Sequence, residues 1–365
     1  MTRYGYTFPA IRGIQAGREY YTSMVPMRLL PKLFTYDGEE LPAELRAQRT
    51  LNRARIPEMA RYLCENQTDY VFSAITASID GDVSFSPAGD DHNFRLGVLN
   101  VDMGARFLIN DGQHRRAAIE HAMRERPEIG DETIAVVFFL DAGLIRSQQM
   151  FADLNRHAIR PSKSLGVLYD HRDVQAGLVR GFVTNSRVFR DIVEFEKTTL
   201  SARSSKLITL SSLYFASAEL LCAYRDEPVE TQASMAQAFW EEVAKHIPEW
   251  KAVRDRRMSS GEVRRDFIHS HGLVLQALGR VGATLLSCNP TDWRERLIEL
   301  ARIDWRRSNV AFWEGRAFLG GHISKARQNI ILTTNALKHH LQLPLTQEEQ
   351  QAEDAYSRGS HADAG

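Results

Sequence analysis

The chain is poor in cysteine, has no long apolar run and carries no net charge, and each lack excludes something. Its three cysteines, Cys64, Cys222 and Cys288, are odd in number, widely separated and outside any C-x-x-C spacing. That excludes a disulfide framework and a zinc ribbon, and it fits a reducing cytoplasm. The longest apolar stretch, residues 134–140, has the length of one strand, far short of the roughly 20 residues a spanning helix needs. The opening MTRYGYTFP holds neither an apolar core nor a small-residue cleavage site, so no secretory signal is read there. The 46 Lys+Arg balance the 46 Asp+Glu, which removes the overall basic character of many nucleic-acid binders but not local fields. Residues 251–280 hold Lys251, Arg254, Arg256, Arg257, Arg264, Arg265 and Arg280 against Asp255, Glu262 and Asp266. Residues 346–365 reverse the sign, with Glu348, Glu349, Glu353, Asp354 and Asp363 against Arg358, and their polar, small-residue composition predicts a disordered acidic tail.

What is present suits a globular protein of one or two cores: 365 residues, 43% of them hydrophobic. In the first third, residues 19–25 and 70–79 are β-prone, and Asp80-Gly81 reads as a hairpin turn before a strand at 83–85. Ile56-Pro57-Glu58 reads as a helix start. Residues 106–109 then form a short strand, Asn110-Asp111-Gly112 a turn, and residues 113–126 a helix stopped by Pro127. Residues 133–140 read as a strand of a covered sheet and 144–154 as a helix. Beyond Pro161, the segments 162–170, 174–183, 205–224, 231–246, 271–287, 292–303 and 324–341 all favour helix. The expected fold is therefore α+β, a mixed α/β domain over 1–160 followed by a mainly α-helical domain over 161–345. The five tryptophans fall in the helical segments and predict core packing, and Cys64 and Cys222 read as buried thiols.

The densest chemistry lies in Asn110-Asp111-Gly112-Gln113-His114-Arg115-Arg116-Ala117-Ala118. Glycine at a strand-to-helix turn lets a ligand approach the backbone, and the first amides of the helix are donors at the positive end of its dipole. His114 and Arg115 would add charge-assisted hydrogen bonds to an anion there, while Asp111 would repel it unless a divalent cation bridged them, which predicts Mg²⁺ dependence. The plain alternative is that Asp111 caps the helix and the histidine and arginines are surface residues.

This stretch resembles the signature of the DGQHR-domain family, which includes the DndB proteins of DNA sulfur modification (phosphorothioation). The resemblance extends over about residues 10–345, through Gly13-Ile14-Gln15, Tyr20-Tyr21, Thr50-Leu51-Asn52-Arg53, Tyr70-Val71-Phe72 and the run from Met150 through Asn155 to Ala158. It implies an N-terminal ParB/sulfiredoxin-like domain, in which Gly112, Arg115 and Ala118 match a Gly-Glu-Arg-Arg-x-x-Ala motif that contacts nucleotide phosphates. Gln113 and His114 depart from that motif. A DGQQR motif of nucleotide-hydrolysing restriction factors is a closer parallel, and its Phe-x-x-Leu-Asn element is reproduced by Phe151, Leu154 and Asn155.

The resemblance implies a DNA-binding negative regulator of a bacterial phosphorothioate-modification gene cluster, with double-stranded DNA and other sulfur-modification proteins as partners and a homo-oligomeric state compatible with it. Arg254, Arg256, Arg257, Arg264 and Arg265 are then the phosphate contacts, since duplex DNA rewards six to ten such contacts with strongly salt-dependent affinity. The two arginine groups are separated by Met258-Ser259-Ser260-Gly261, read as a flexible linker of small residues, and the alternative for the cluster is a solvated loop with local ion pairs through Asp255 and Glu262. The other functional reading is a nucleoside-triphosphate-hydrolysing enzyme with Mg²⁺. In it Asp111 positions the metal, Gln113 or His114 orients water, and Arg115 stabilises developing charge, while Gly112, Arg115, Arg116 and Asn155 hold the nucleotide. His269, His271, His339 and His340 lack the spacing of a helical zinc site and read as structural.

Overall fold

The computed structural model describes residues 5–34, 53–89, 95–140, 149–150, 153–154, 161–288, 291–324 and 326–362. It is mixed α+β, and the chain divides into two compact units, Met1–Ile159 and Arg160–Gly365.

In the first unit seven strands form one sheet: β1 (Gly5–Gln15), β2 (Arg18–Pro26), β3 (Ile75–Asp80), β4 (Val83–Pro87), β5 (Leu96–Asp102), β6 (Arg106–Asp111) and β7 (Thr133–Leu140). Their order is β4-β5-β1-β2-β7-β3-β6, with β3 and β7 parallel and all other neighbours antiparallel. Asp80-Gly81 does make a tight connection, with Gly81 at φ 153°, but the strands it joins are not neighbours, so the expected hairpin is corrected. β3 has its partners in β7 and β6, and β4 in β5. Along β7, Ile134, Val136 and Phe138 are buried while Ala135, Val137 and Phe139 are half-buried, the period-two alternation of a strand with one fully covered face. On that face pack Phe8, Tyr21, Val25, Ile75, Leu99 and the helices α1 (Ile56–Glu65) and α2 (Gln113–Glu125). Of the helix expected over 144–154, only residues 149, 150, 153 and 154 are described, and those are helical.

The second unit is helical, and among its described residues the strands are of two residues each. Helices of seven residues or more are α3 (Lys163–Tyr169), α4 (Val174–Asn185), α5 (Leu210–Leu220), α6 (Val229–Lys245), α7 (Pro248–Arg254), α8 (Ser260–Asp266), α9 (Gly272–Cys288), α10 (Arg327–His340) and α11 (Gln347–Ala362). α9 packs against α5 and α10, and α10 carries α11. Trp240, Trp250 and Trp313 are fully buried, and Trp293 and Trp305 nearly so, so the tryptophans are core residues, and the N–H groups of Trp240, Trp250, Trp305 and Trp313 find partners. Trp240 Nε1 donates to Ser217 Oγ (3.0 Å) and Trp250 Nε1 to His269 Nδ1 (3.0 Å). His269 is wholly buried, and burial lowers its pKa.

Three sequence expectations change here. Residues 347–362 are not disordered but form α11, because their carboxylates meet cations from other parts of the second unit, Arg316 on a turn and Lys338 on α10. Residues 258–261 are not a flexible linker: Ser259 caps α8 in a reciprocal box with Glu262, which satisfies two open backbone donors. Cys222 is exposed and Cys64 half-buried. Among the described residues no helix is long and apolar enough to cross a membrane.

Candidate functional site

In the first unit the DGQHR segment occupies the end of β6 and the first turn of α2. Gly112 is the N-cap of α2 at φ 108°, a backbone conformation open to glycine and strained for other residues. A β-carbon there would stand 3.0 Å from Ile75 Cγ1 and 3.1 Å from Arg115 Nη2. Asp111 belongs to β6, opposite Thr76, and does not cap the helix. With no side-chain cap on α2, its first-turn amides have no partner within the helix. Arg115 Nη2 donates to Asp111 Oδ2 (2.8 Å) and to the Ala74 carbonyl (3.0 Å), tying the turn to the start of β3. Gln113 Nε2 donates back to the Ile109 carbonyl (3.2 Å), and Asn110, buried, donates to Ser78 Oγ (2.6 Å).

His114 is half-buried. Burial lowers its pKa, and Arg55 and Arg115 push the same way against the opposing pull of Asp111, so the ring is neutral at neutral pH. Arg55, on the turn before α1, is the cation sequence reading missed. Nothing in the local sequence linked it to residue 114. Arg116 is turned inward, 7% exposed, and pairs with Glu120 at 2.7 Å. The segment thus brings together Gly112, Gln113, His114 and Arg115, with the Asp111 carboxylate engaged by Arg115, while Asn155 lies outside the described residues. Among the described residues no group of three or more His, Cys, Asp or Glu side chains is placed to hold a metal ion. Arg115 holds Asp111 through Oδ2, which leaves Oδ1 as the oxygen that would meet Mg²⁺.

In the second unit three of the five expected arginines, Arg254, Arg256 and Arg257 but not Arg264 or Arg265, line a cleft of about 1060 Å³ between the loop 202–206 and the turn 253–261. Arg203, Lys206, Arg254, Arg256 and Arg257 line it, with Asp191 as the acidic residue on its wall. The turn is a helix stop of the Schellman type: the Arg257 N–H reaches the Ala252 carbonyl (2.7 Å) and the Arg256 N–H the Val253 carbonyl (3.0 Å). Arg256 takes the left-handed position at φ 57°, where glycine is usual and a side chain costs about 1–2 kcal/mol. Arg256 is exposed, and among the described residues it makes no side-chain ion pair. Arg254 and Arg257 share Asp255 at 2.7 and 3.3 Å, holding that carboxyl below its usual range.

Arg264 differs from the other four. Its guanidinium donates to the carbonyls of Ser201 (2.6 Å), Ala202 (3.4 Å), Ser204 (3.3 Å) and Lys206, so it clamps the loop instead of facing a phosphate. Gly261 helps bring the loop in, since a β-carbon there would stand 2.4 Å from the Ala202 oxygen, and Ser260 Oγ donates to the Ser205 carbonyl (2.6 Å). Arg265 is exposed and pairs in fork geometry with Asp266 through two contacts of 2.8 Å. Arg203 and Lys206 were missed by sequence reading. Their only signal was two cations within a run of serines, Ser201-Ala202-Arg203-Ser204-Ser205-Lys206.

No curated protein and no solved structure matches the chain. A family model described as DNA-sulfur modification-associated matches residues 8–344, a span that takes in the DGQHR turn, the basic cleft and all but the last helix. The chain therefore belongs to the DndB family of proteins associated with DNA sulfur modification.

Proposed function

We propose that the chain is a cytoplasmic DNA-binding regulator that represses a phosphorothioate-modification gene cluster, gripping duplex phosphates with Arg254, Arg256, Arg257 and Arg265. The observation that carries this reading is the cleft of the second unit: five cationic side chains on its wall, one of them, Arg256, held without an ion-pair partner in a strained backbone position. Strain kept where a glycine would relieve it points to use of the side chain. Widely separated cysteines offer no relay for sulfur, which is consistent with a role other than sulfur insertion.

The test is binding of the purified protein to a labelled duplex from upstream of its own gene cluster and to a scrambled duplex, across a salt series. Preference for the upstream duplex that survives near-physiological salt is expected. Equal, weak binding to both that vanishes as salt rises would defeat the regulator reading. Arg256→Gly isolates the charge, because it relieves the left-handed strain. It should leave stability unchanged or raise it by up to about 1 kcal/mol, while lowering the slope of log affinity against log salt by about 0.9.

A second reading is favoured by the DGQHR turn. Its glycine N-cap and uncapped helix start suit a nucleoside triphosphate, with Asp111 to hold Mg²⁺ and Arg115 to meet the phosphates, while the neutral His114 gives up the expected charge-assisted bond and is left the role of orienting water. Asp111→Ala and Arg115→Ala should each abolish phosphate release while the chain stays folded by circular dichroism. Wild-type rates in both variants would remove the site from consideration.

A further inference from the structure

The C-terminal helix is docked by acids. The inward stripe of α11 is Glu349, Ala352, Glu353 and Tyr356, spaced i, i+3, i+4, i+7 as an amphipathic helix requires, yet two of its four members are carboxylates and only Glu349 is fully buried. Beneath it, Arg316 grips Glu353 with both terminal nitrogens, Nη1 to Oε2 at 2.9 Å and Nη2 to Oε1. Lys338 Nζ donates to Glu349 Oε2 (2.6 Å), Arg280 stands 3.7 Å from the same carboxylate, and Arg327 pairs with Glu348 at 2.8 Å. Asn335 Nδ2 donates to Glu353 Oε2 (3.0 Å) and to the Glu349 carbonyl (2.8 Å). Tyr356 completes the contact, its ring 4.6 Å from the Arg316 guanidinium carbon and its hydroxyl donating to the Glu314 carbonyl. The Glu314 carboxylate itself is engaged elsewhere, accepting from the Gly320 N–H.

The groups holding α11 are those that recognise phosphate, a forked guanidinium and an ammonium among amide donors, and residues 349 and 353 offer them two anions about 6 Å apart along the helix axis. An apolar face stripped of its helix would have to find another apolar cover. One built on Arg280, Arg316, Arg327, Asn335 and Lys338 can be solvated or can take another anion. Because a buried ion pair gives up most of its Coulomb gain to desolvation, a polyanion can compete for these cations with the helix.

We propose that the cationic face of α9 and α10, together with Arg316, is a second phosphate-binding surface for a nucleic-acid strand, and that the chain's own acidic helix α11 occupies it until the polyanion displaces it. The choice of partner rests on the duplex-binding reading above. The mechanism is independent of which duplex sequence is preferred.

The experiment uses the full chain and a duplex of arbitrary sequence. Glu353→Gln with Tyr356→Ala loosens α11, and hydrogen exchange of residues 347–362 reports its release. Release removes the cost of opening α11 from the binding free energy and so raises affinity at fixed salt by at least about tenfold. It also steepens the log affinity against log salt slope by about 0.9 for each added phosphate contact. Adding Arg316→Gln to the loosened chain should cancel the gain. Rapid exchange of α11 with wild-type affinity and slope would overturn the proposal. Should the loosened chain fold poorly, the wild type decides: saturating duplex must speed exchange in residues 347–362, and unchanged or stronger protection overturns it. Failure here leaves promoter preference intact, whereas a chain that binds no duplex in either form loses both readings.

Discussion

Lys338→Met is expected to lower the stability of the folded chain by about 3–5 kcal/mol, measured by urea unfolding followed by circular dichroism. Lys338 and Glu349 are 1% and 2% exposed and 2.6 Å apart, so removing the ammonium strands a carboxylate out of water. Burial alone pushes the Glu349 carboxyl up. Lys338, the Thr346 amide and Arg280 outweigh it and leave its pKa below the ordinary 4.5. The same balance, with Arg316 and Asn335 as the counterweights, holds Glu353 down. A carboxylate depressed on folding contributes stability above its unfolded value and loses that contribution as pH falls through the folded one. The anchoring of α11 should therefore be complete at neutral pH and weaken only as pH falls below about 4.5. Replacing both partners, Lys338→Met with Glu349→Leu, should restore most of the loss, because an apolar pair of similar volume carries no desolvation cost. A single variant within about 1 kcal/mol of the wild type would mean that water reaches the pair and that α11 is not anchored by it.

The parts of the chain that apolar pattern decides are legible in the amino-acid sequence. The strand–turn–helix of residues 106–125 and the segments that form α4, α6, α9 and α10 follow from residue periodicity, with ends displaced by several residues. What fails is whatever depends on a distant partner. Asp80-Gly81 carries a genuine turn signal, yet a turn does not choose strand neighbours. β3 lies between β7 and β6 because its buried Ile75, Ala77 and Ile79 belong to the core face, while the shorter, half-exposed β4 closes the far edge. The stripe of α11 has helical spacing in plain view, but its acids look like a solvated tail until Arg280, Arg316 and Lys338 arrive from other parts of the chain. In residues 258–262 the Ser-x-x-Glu capping box is readable, and small-residue composition outweighs it. Of the candidate sites, the DGQHR turn is legible as a glycine-opened helix start. The pairing of Asp111 with Arg115 and the inward turn of Arg116 are not, because i, i+4 spacing allows a contact without requiring it. Five arginines look alike in sequence, and only the loop 201–206 distinguishes Arg264 from the rest.

That distinction gives the second large expected effect. Arg264→Ala should cost about 2–4 kcal/mol, because a guanidinium that satisfies the carbonyls of Ser201, Ala202, Ser204 and Lys206 is replaced by nothing, and hydrogen bonds from a charged donor are worth about 1.5–3 kcal/mol each without adding fully. Burial lowers the pKa of Arg264, yet its reference value is so high that the group stays charged and donates throughout the working range. Arg264→Lys should recover only part of the loss, since an ammonium cannot fork across four oxygens. Arg257→Ala is the contrast: exposed and paired only with Asp255 at 3.3 Å, it should change stability by no more than about 0.5 kcal/mol. The loop that Arg264 clamps carries Arg203 and Lys206, two of the five cations of the cleft. Arg264→Ala should therefore weaken duplex binding together with faster hydrogen exchange in residues 201–206, whereas Arg257→Ala should weaken binding with exchange unchanged. Weakened binding by Arg264→Ala, with stability and loop exchange both at wild-type values, would show that the loop holds itself and would return Arg264 to the open cationic surface as a phosphate contact.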